Sequence, residues 1–156
     1  MTLYDGLKLI HILSAAVLFG TGAGIAFFMV VAHRTGRTDV VAATARIVVL
    51  ADFVFTTPAV IVQPLSGFAL VFLQGYHPFE PWLVAAYGLY ALIGACWLPV
   101  VAIQLRIRRL AEAAAVAGAP LPSAYDRLFR LWFLLGWPAF MGVLGIYGLM
   151  IARPRF

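Results

Sequence analysis

Charge is scarce in this chain: of 156 residues only 11% are Asp, Glu, Lys or Arg, whereas 64% are apolar and the mean hydropathy is +1.00. A soluble domain has about 25% charged and 45–50% apolar residues, so a water-soluble globule is excluded and the chain reads as an integral membrane protein. Cysteine is nearly absent as well. The single Cys96 rules out an intramolecular disulfide and a cysteine-built metal cluster. No Cys-x-x-Cys-His run is available to attach a c-type haem, and Cys96 reads as a small apolar core residue. The four methionines, Met1, Met29, Met141 and Met150, do not cluster, which sets a copper-transport site behind other readings.

Four apolar stretches remain, about 7–32, 47–73, 82–105 and 131–152, each meeting or exceeding the ~20 residues a helix needs to cross the hydrocarbon core. The expected fold is all-α, a four-helix transmembrane bundle forming one integral membrane domain over residues 1–156. The first stretch is too long and lacks the basic leader and cleavage site of a signal peptide, so it is expected to be retained. Eight of the eleven basic residues (Arg34, Arg37, Arg46, Arg106, Arg108, Arg109, Arg127 and Arg130) follow spans 1 and 3, and the Gln74–Pro81 loop has none. The positive-inside rule then puts those two loops in the cytoplasm and both termini on the outer, periplasmic side of a bacterial inner membrane. Arg153 and Arg155 lie on the opposite side without reversing the balance. The +5 net charge reflects this topology and points to anionic membrane lipids; with no compact soluble fold, a nucleic-acid partner is set aside.

Polar residues within the spans carry the functional signal. His11 sits inside span 1, where an imidazole is costly unless it faces the bundle interior and holds a ligand or another helix. Lys8, one turn away, either snorkels to the surface or meets an anionic group bound at His11. Ser14, Ala15, Leu18 and Gly22 continue that face, small enough for a flat macrocycle to lie against it. Gly20 and Gly24 alternatively form a Gly-x-x-x-Gly seam for a neighbouring helix. In span 2, Asp52, Thr56, Ala59, Gln63 and Ser66 recur at spacings of four, three, four and three, one inward stripe. Asp52 is expected either to pair with Arg46 or Arg106 or to serve proton or quinone chemistry, Gln63 to reach a cofactor propionate or a neighbouring helix, and Pro58 and Pro64 to kink the helix near Gln63. Trp82 and Tyr76 suit the outer interfacial belt and Trp132 the inner one. Gly142, Gly145 and Gly148 form a packing ridge, within the bundle or in a homodimer.

Lys8-Leu9-Ile10-His11-Ile12-Leu13 followed by Leu18-Phe19-Gly20-Thr21-Gly22, with Gln63-Pro64-Leu65-Ser66-Gly67 and Trp97-Leu98-Pro99-Val100, resembles a bacterial family of predicted integral membrane proteins to which no activity is assigned. That family is in turn similar to HemJ-type and, more distantly, CopD-type membrane proteins. The resemblance implies a four-helix membrane bundle with the first-span His as a haem ligand and, for the HemJ-type relatives, protoporphyrinogen oxidation. Those relatives are associated with a Lys on the third span near the haem; residues 82–105 here contain neither Lys nor His. What carries over is a haem site rather than the oxidase step.

Two function classes stay open on these residues. The first is a haem-b protein of electron transfer or tetrapyrrole redox chemistry, iron on His11, with Lys8, Ser14, Gly22 and Gln63 around the cofactor and a redox protein or quinone as partner. The second is a non-catalytic membrane subunit in which His11 and Asp52 only hold helices together. His77 in the outer loop and Met150 at the outer end of span 4 share the depth of His11 and compete as second axial ligand. His33 lies about 33 Å away along a helix of 1.5 Å rise and is excluded. Reporter fusions after Arg37 and Ala117 are expected to score cytoplasmic and one at Gly75 external; the reverse pattern would show that Arg153 and Arg155 set the orientation.

Overall fold

In the computed structural model, residues 2–154 are described, so Met1 and Arg155 lie outside the described residues. The chain is all-helical: α1 (Leu3–Arg34), α2 (Thr38–Ala51), a π-helical turn (Asp52–Thr56), α3 (Thr57–Leu73), α4 (Pro81–Val116) and α5 (Ser123–Ala152). α2, the π turn and α3 run on as one rod, leaving four helical rods long and apolar enough to cross a membrane. Leu9, Ile10, Leu13, Phe27, Phe28, Leu98 and Leu134 point outward from them, the surface that hydrocarbon requires of a membrane bundle. The protein is a multi-pass integral membrane protein whose outer face contacts lipid.

Local sequence accounts for the ends of the rods. Thr2 caps α1 by accepting from Asp5 N–H at 3.2 Å, while the Asp5 carboxylate accepts from Thr2 N–H at 2.9 Å, a reciprocal box that satisfies two otherwise orphaned donors. α4 passes well beyond its apolar stretch and stops at Gly118-Ala119-Pro120, where Gly118 adopts φ +61° and Ala119 N–H closes on Ala114 O at 3.0 Å. A residue with a Cβ is strained in that left-handed conformation. Thr38 Oγ1 donates to Ala119 O at 3.2 Å and joins the two turns at one end of the bundle. Arg153 donates to Tyr76 Oη at 2.6 Å and joins the α3–α4 turn to the C-terminus at the other. We refer to these as the arginine-rich end and the terminal end.

The prolines of the second rod act differently from a simple kink at Gln63. Pro58 has no N–H to offer Val54, and the ladder ahead of it widens into the π turn, with Thr57 N–H and Thr57 Oγ1 both bonding Asp52 O. Pro64 sits within the unbroken α3 and frees Val60 O, which accepts the Tyr90 hydroxyl from α4.

Packing is uneven along the bundle axis. At the arginine-rich end Ile25, Met29, Val41, Ala45, Val48, Ile103, Ile107, Ala111, Tyr125, Phe129 and Trp132 form one buried core from α1, α2, α4 and α5. His33 belongs to this end: it stacks on Phe129 at 3.9 Å and bonds Tyr125 Oη at 3.1 Å. The terminal end has only a small cluster around Val71, Trp82 and Leu83, and the space between the rods opens there.

Several expectations are corrected by side-chain direction. Arg46 does not pair with Asp52; its guanidinium reaches Glu112 on α4 at 3.0 Å. At about 100° per residue Arg46 and Asp52 point about 120° apart around the rod, so they share a depth range and not a face. Arg106 makes no ion pair among the described residues. Trp132 and Trp82 are buried, 5% and 6% exposed, rather than seated at the membrane interfaces. No helix of this chain packs on the Gly20 and Gly24 pair, since a Cβ at Gly20 meets nothing within 4 Å and one at Gly24 only Phe28 of its own helix. The glycine ridge of α5 packs within the bundle. A Cβ at Gly142 would stand 2.8 Å from Ile93 Cγ1, and one at Gly145 3.0 Å from Leu89 Cδ1.

Gly142→Val is therefore expected to destabilise the α4–α5 pair by about 1–3 kcal/mol through overpacking. Gly148→Ala, with nothing within 4 Å of its Cβ, is expected to leave thermal unfolding in detergent unchanged. Ile93→Ala should recover part of the Gly142→Val loss.

Candidate functional site

α1 and α3 meet along a hydrogen-bonded chain built from residues that hydrocarbon forbids to stand alone. The stripe Asp52, Thr56, Ala59, Gln63 and Ser66 faces inward, with Asp52, Thr56, Ala59 and Ser66 buried. Against it α1 sets His11 and Ser14. Ser14 Oγ donates to Gln63 Oε1 in a short contact, Gln63 Nε2 faces His11 Nε2 at 3.2 Å, and His11 Nδ1 faces Ser66 Oγ at 3.0 Å. Ser66 Oγ in turn donates to Val62 O at 2.7 Å.

The direction of these bonds fixes the imidazole. Ser14 Oγ also lies 3.0 Å from His11 O; with its proton given to Gln63 Oε1, the Gln63 amide nitrogen donates and His11 Nε2 accepts. Nδ1 then carries the proton and donates to Ser66, whose own proton goes to the Val62 carbonyl. Neutral His11 in the Nδ1–H tautomer satisfies every member. The ring is also clamped sterically: a Cβ on Gly67 would lie 3.1 Å from His11 Cε1, so glycine at 67 lets the ring lie flat against α3.

A cavity of about 870 Å³ opens beside this chain, within the range of about 300–1,000 Å³ typical of small-molecule sites. His11, Ala15, Leu18 and Gly22 line it from α1, Gln63 and Gly67 from α3, Tyr87 and Tyr90 from α4, and Phe140, Val143, Tyr147 and Met150 from α5. Its terminal-end mouth has Lys8 and Arg153; its far end reaches Asp52 and Trp97. Tyr147 Oη is held on Ala15 O at 2.7 Å. Tyr87 Oη is buried with no hydrogen-bond partner.

Of the residues singled out in the sequence, the structure brings His11, Ser14 and Gln63 into mutual contact and sets Lys8, Gly22 and Met150 on the same cavity wall. His77 is not on that wall; it lies in the α3–α4 turn, where Nδ1 accepts Phe79 N–H at 3.3 Å. Among the described residues no group of three or more His, Cys, Asp or Glu comes together as a metal site. Ser66, Gly67, Tyr87 and Arg153 were not assigned to the site from sequence. Ser66 was readable as a stripe member, and its role follows only once α1 is packed against α3.

A family model described as "Predicted integral membrane protein (DUF2269)" matches residues 5–154. No curated protein and no solved structure matches the chain.

Gln63→Leu leaves His11 Nε2 and Ser14 without their shared partner. It is expected to destabilise the α1–α3 contact by about 1–3 kcal/mol, the cost of unsatisfied buried groups. Nitrogen NMR of labelled histidine is expected to report the Nδ1–H tautomer at His11, and Gln63→Leu, which removes the donor to Nε2, to abolish that preference; a dominant Nε2–H form in the native protein would contradict this direction of bonding.

Proposed function

The chain belongs to the DUF2269 family of predicted integral membrane proteins, and from the geometry of its cavity we propose that it is a b-type haem protein of a bacterial cytoplasmic membrane, with His11 as an axial ligand. The observation that carries this reading is the handling of His11. A metal-binding imidazole typically coordinates through one nitrogen while the other donates to an oxygen that fixes tautomer and orientation. Here Nδ1–H is held by Ser66, and Nε2 faces Gln63 on the cavity wall. Nε2 is the nitrogen that would hold the iron, with the Gln63 amide turned aside.

The remaining walls fit the same group. An apolar, aromatic-lined space accepts the macrocycle, and the two basic residues at the mouth, Lys8 and Arg153, match its carboxylates. The orphaned Tyr87 hydroxyl supplies a further donor. Met150 on the wall is the second axial candidate that the cavity favours over His77. When bound, haem supplies one-electron redox chemistry, with a redox protein or membrane quinone as exchange partner. The protein's own share is to orient His11, exclude water and balance the carboxylates. The arginine-rich end is then cytoplasmic by the positive-inside rule.

One observation favours a second reading. The chain from Ser14 through Gln63 and His11 to Ser66 leaves no member wanting a partner, so His11 also serves as a helix tie in a non-catalytic membrane subunit. The absorption spectrum separates the two. Protein purified in detergent is expected to show a Soret band that His11→Ala removes while His33→Ala leaves it unaltered. Ser66→Ala lowers the basicity of the imidazole and is expected to raise the reduction potential. Met150→Leu, and not His77→Ala, is expected to shift the reduced spectrum. A colourless protein that does not take up added hemin, or a haem content unchanged in His11→Ala, would overturn the assignment.

A further inference from the structure

The far end of the cavity holds a second polar site that the haem reading does not use. Asp52, only 4% exposed, turns its carboxylate into the bundle. Trp97 Nε1 lies 3.4 Å from Oδ1. With the Gln104 amide in the orientation its neighbours require, its nitrogen donates to Oδ2 at 3.0 Å and its oxygen accepts from Trp132 Nε1 at 3.2 Å. These partners are neutral donors, so neither supplies a countercharge to the carboxylate. No cation accompanies them: among the described residues the ion pairs are Arg37–Asp39, Arg46–Glu112 and Arg108–Glu112.

A second polar side chain lies one turn away, within reach of the Asp52 carboxylate. Thr56 is 6% exposed, lines the same cavity, and its Oγ1 has no hydrogen-bond partner. Space is kept open at this level. Gly94 and Gly136 line the cavity, and a Cβ at either would meet nothing within 4 Å. Tyr90, Trp97, Trp132 and Phe133 wall it with aromatic rings.

We propose that this end of the cavity binds the protonated amine of an amphiphilic organic cation, its N–H groups donating to the Asp52 carboxylate and to Thr56 Oγ1 and its apolar body lying along the cavity toward His11. A charge inside the membrane is matched by an opposite charge or is not kept, and aromatic faces add cation–π attraction. A hard inorganic cation wants a shell of oxygens, whereas here N–H donors already occupy the carboxylate. A bare proton would need no such room. A neutral ligand would leave the charge uncompensated.

The test uses the purified full chain in nanodiscs, with fluorescence of Trp97 and Trp132 as readout and phenylbutylammonium against its neutral analogue phenylbutanol at neutral pH. The amine is expected to quench saturably and to bind at least about tenfold more tightly than the alcohol, as expected when a buried charge gains its partner. Asp52→Asn should erase that difference, and Thr56→Val should weaken the amine severalfold. The preference for amine over alcohol should persist in His11→Ala, whatever that variant does to haem content, which keeps this proposal separate from the haem reading. Should Asp52→Asn fail to fold, Thr56→Val together with the amine-to-alcohol ratio in the native protein decides. Equal affinity for amine and alcohol, unsaturable partition only, or amine binding unaltered in Asp52→Asn would overturn the proposal. So would a loss of the amine preference in His11→Ala as large as that in Asp52→Asn.

Discussion

Hydrocarbon offers no hydrogen-bond partner, and the organisation of this bundle follows from that refusal. Most backbone carbonyls and polar side chains within a rod therefore find a partner in their own helix or on another rod, and two that do not, Thr56 Oγ1 and Tyr87 Oη, face the cavity. Pro64 frees Val60 O and Tyr90 answers it from α4; Tyr147 reaches across from α5 to Ala15 O on α1. His11 and Ser14 on α1 are answered by Gln63 and Ser66 on α3. These bonds cross between rods at the terminal end, where apolar packing is thin, so polar bridges hold the helices at fixed separation without filling the space between them. Ile, Val and aromatic side chains close the arginine-rich end instead.

The π turn belongs to the same logic. Pro58 withdraws one donor, the helix absorbs the defect by lengthening one turn, and residues 52 to 56 are redirected relative to a regular helix. Asp52 and Thr56 both end up buried toward the cavity. A proline outside the polar stripe thereby sets where the stripe's acidic member points.

How much of this was legible in the sequence depended on whether a property is carried by one helix or by the space between helices. The inward stripe of the second rod could be read because helical periodicity alone places Asp52, Thr56, Ala59, Gln63 and Ser66 on one face, and they are on one face. Four apolar rods and the stop at Gly118-Ala119-Pro120 could be read for the same reason. The partner of Asp52 could not. Depth along the axis suggested Arg46, but direction around the axis gives Arg46 to Glu112, and only the packed α4 brings Trp97 and Gln104, seven residues and so about two turns apart on one face, to the carboxylate. The tryptophans misled similarly: Trp82, at the start of α4, and Trp132, within α5, have interfacial composition, yet each is buried inside the bundle. Gly20 and Gly24 carry the spacing of a helix seam, but a seam needs an approaching helix, and this face of α1 has none against it. The cavity itself leaves no mark in any single segment, since it is defined by where four rods fail to touch.

That failure to touch is too large to be a packing defect. An apolar space of about 870 Å³ that opens at the terminal end does not stand empty in a bilayer, because lipid chains or a ligand enter wherever the rods leave apolar walls uncovered. A bundle with this much open volume therefore holds something in it, whether a lipid chain or a dedicated ligand. A lipid chain satisfies the apolar walls, but it has nothing to offer His11 and Gln63 midway along the space, Tyr87 Oη, or Asp52 and Thr56 at its far end. Polar groups held at fixed positions on the wall of an apolar space are the pattern by which a site selects one occupant over bulk lipid. The pattern here has two such positions, an imidazole with its orientation set by Ser66 and a carboxylate with its hydrogen bonds set by Trp97 and Gln104.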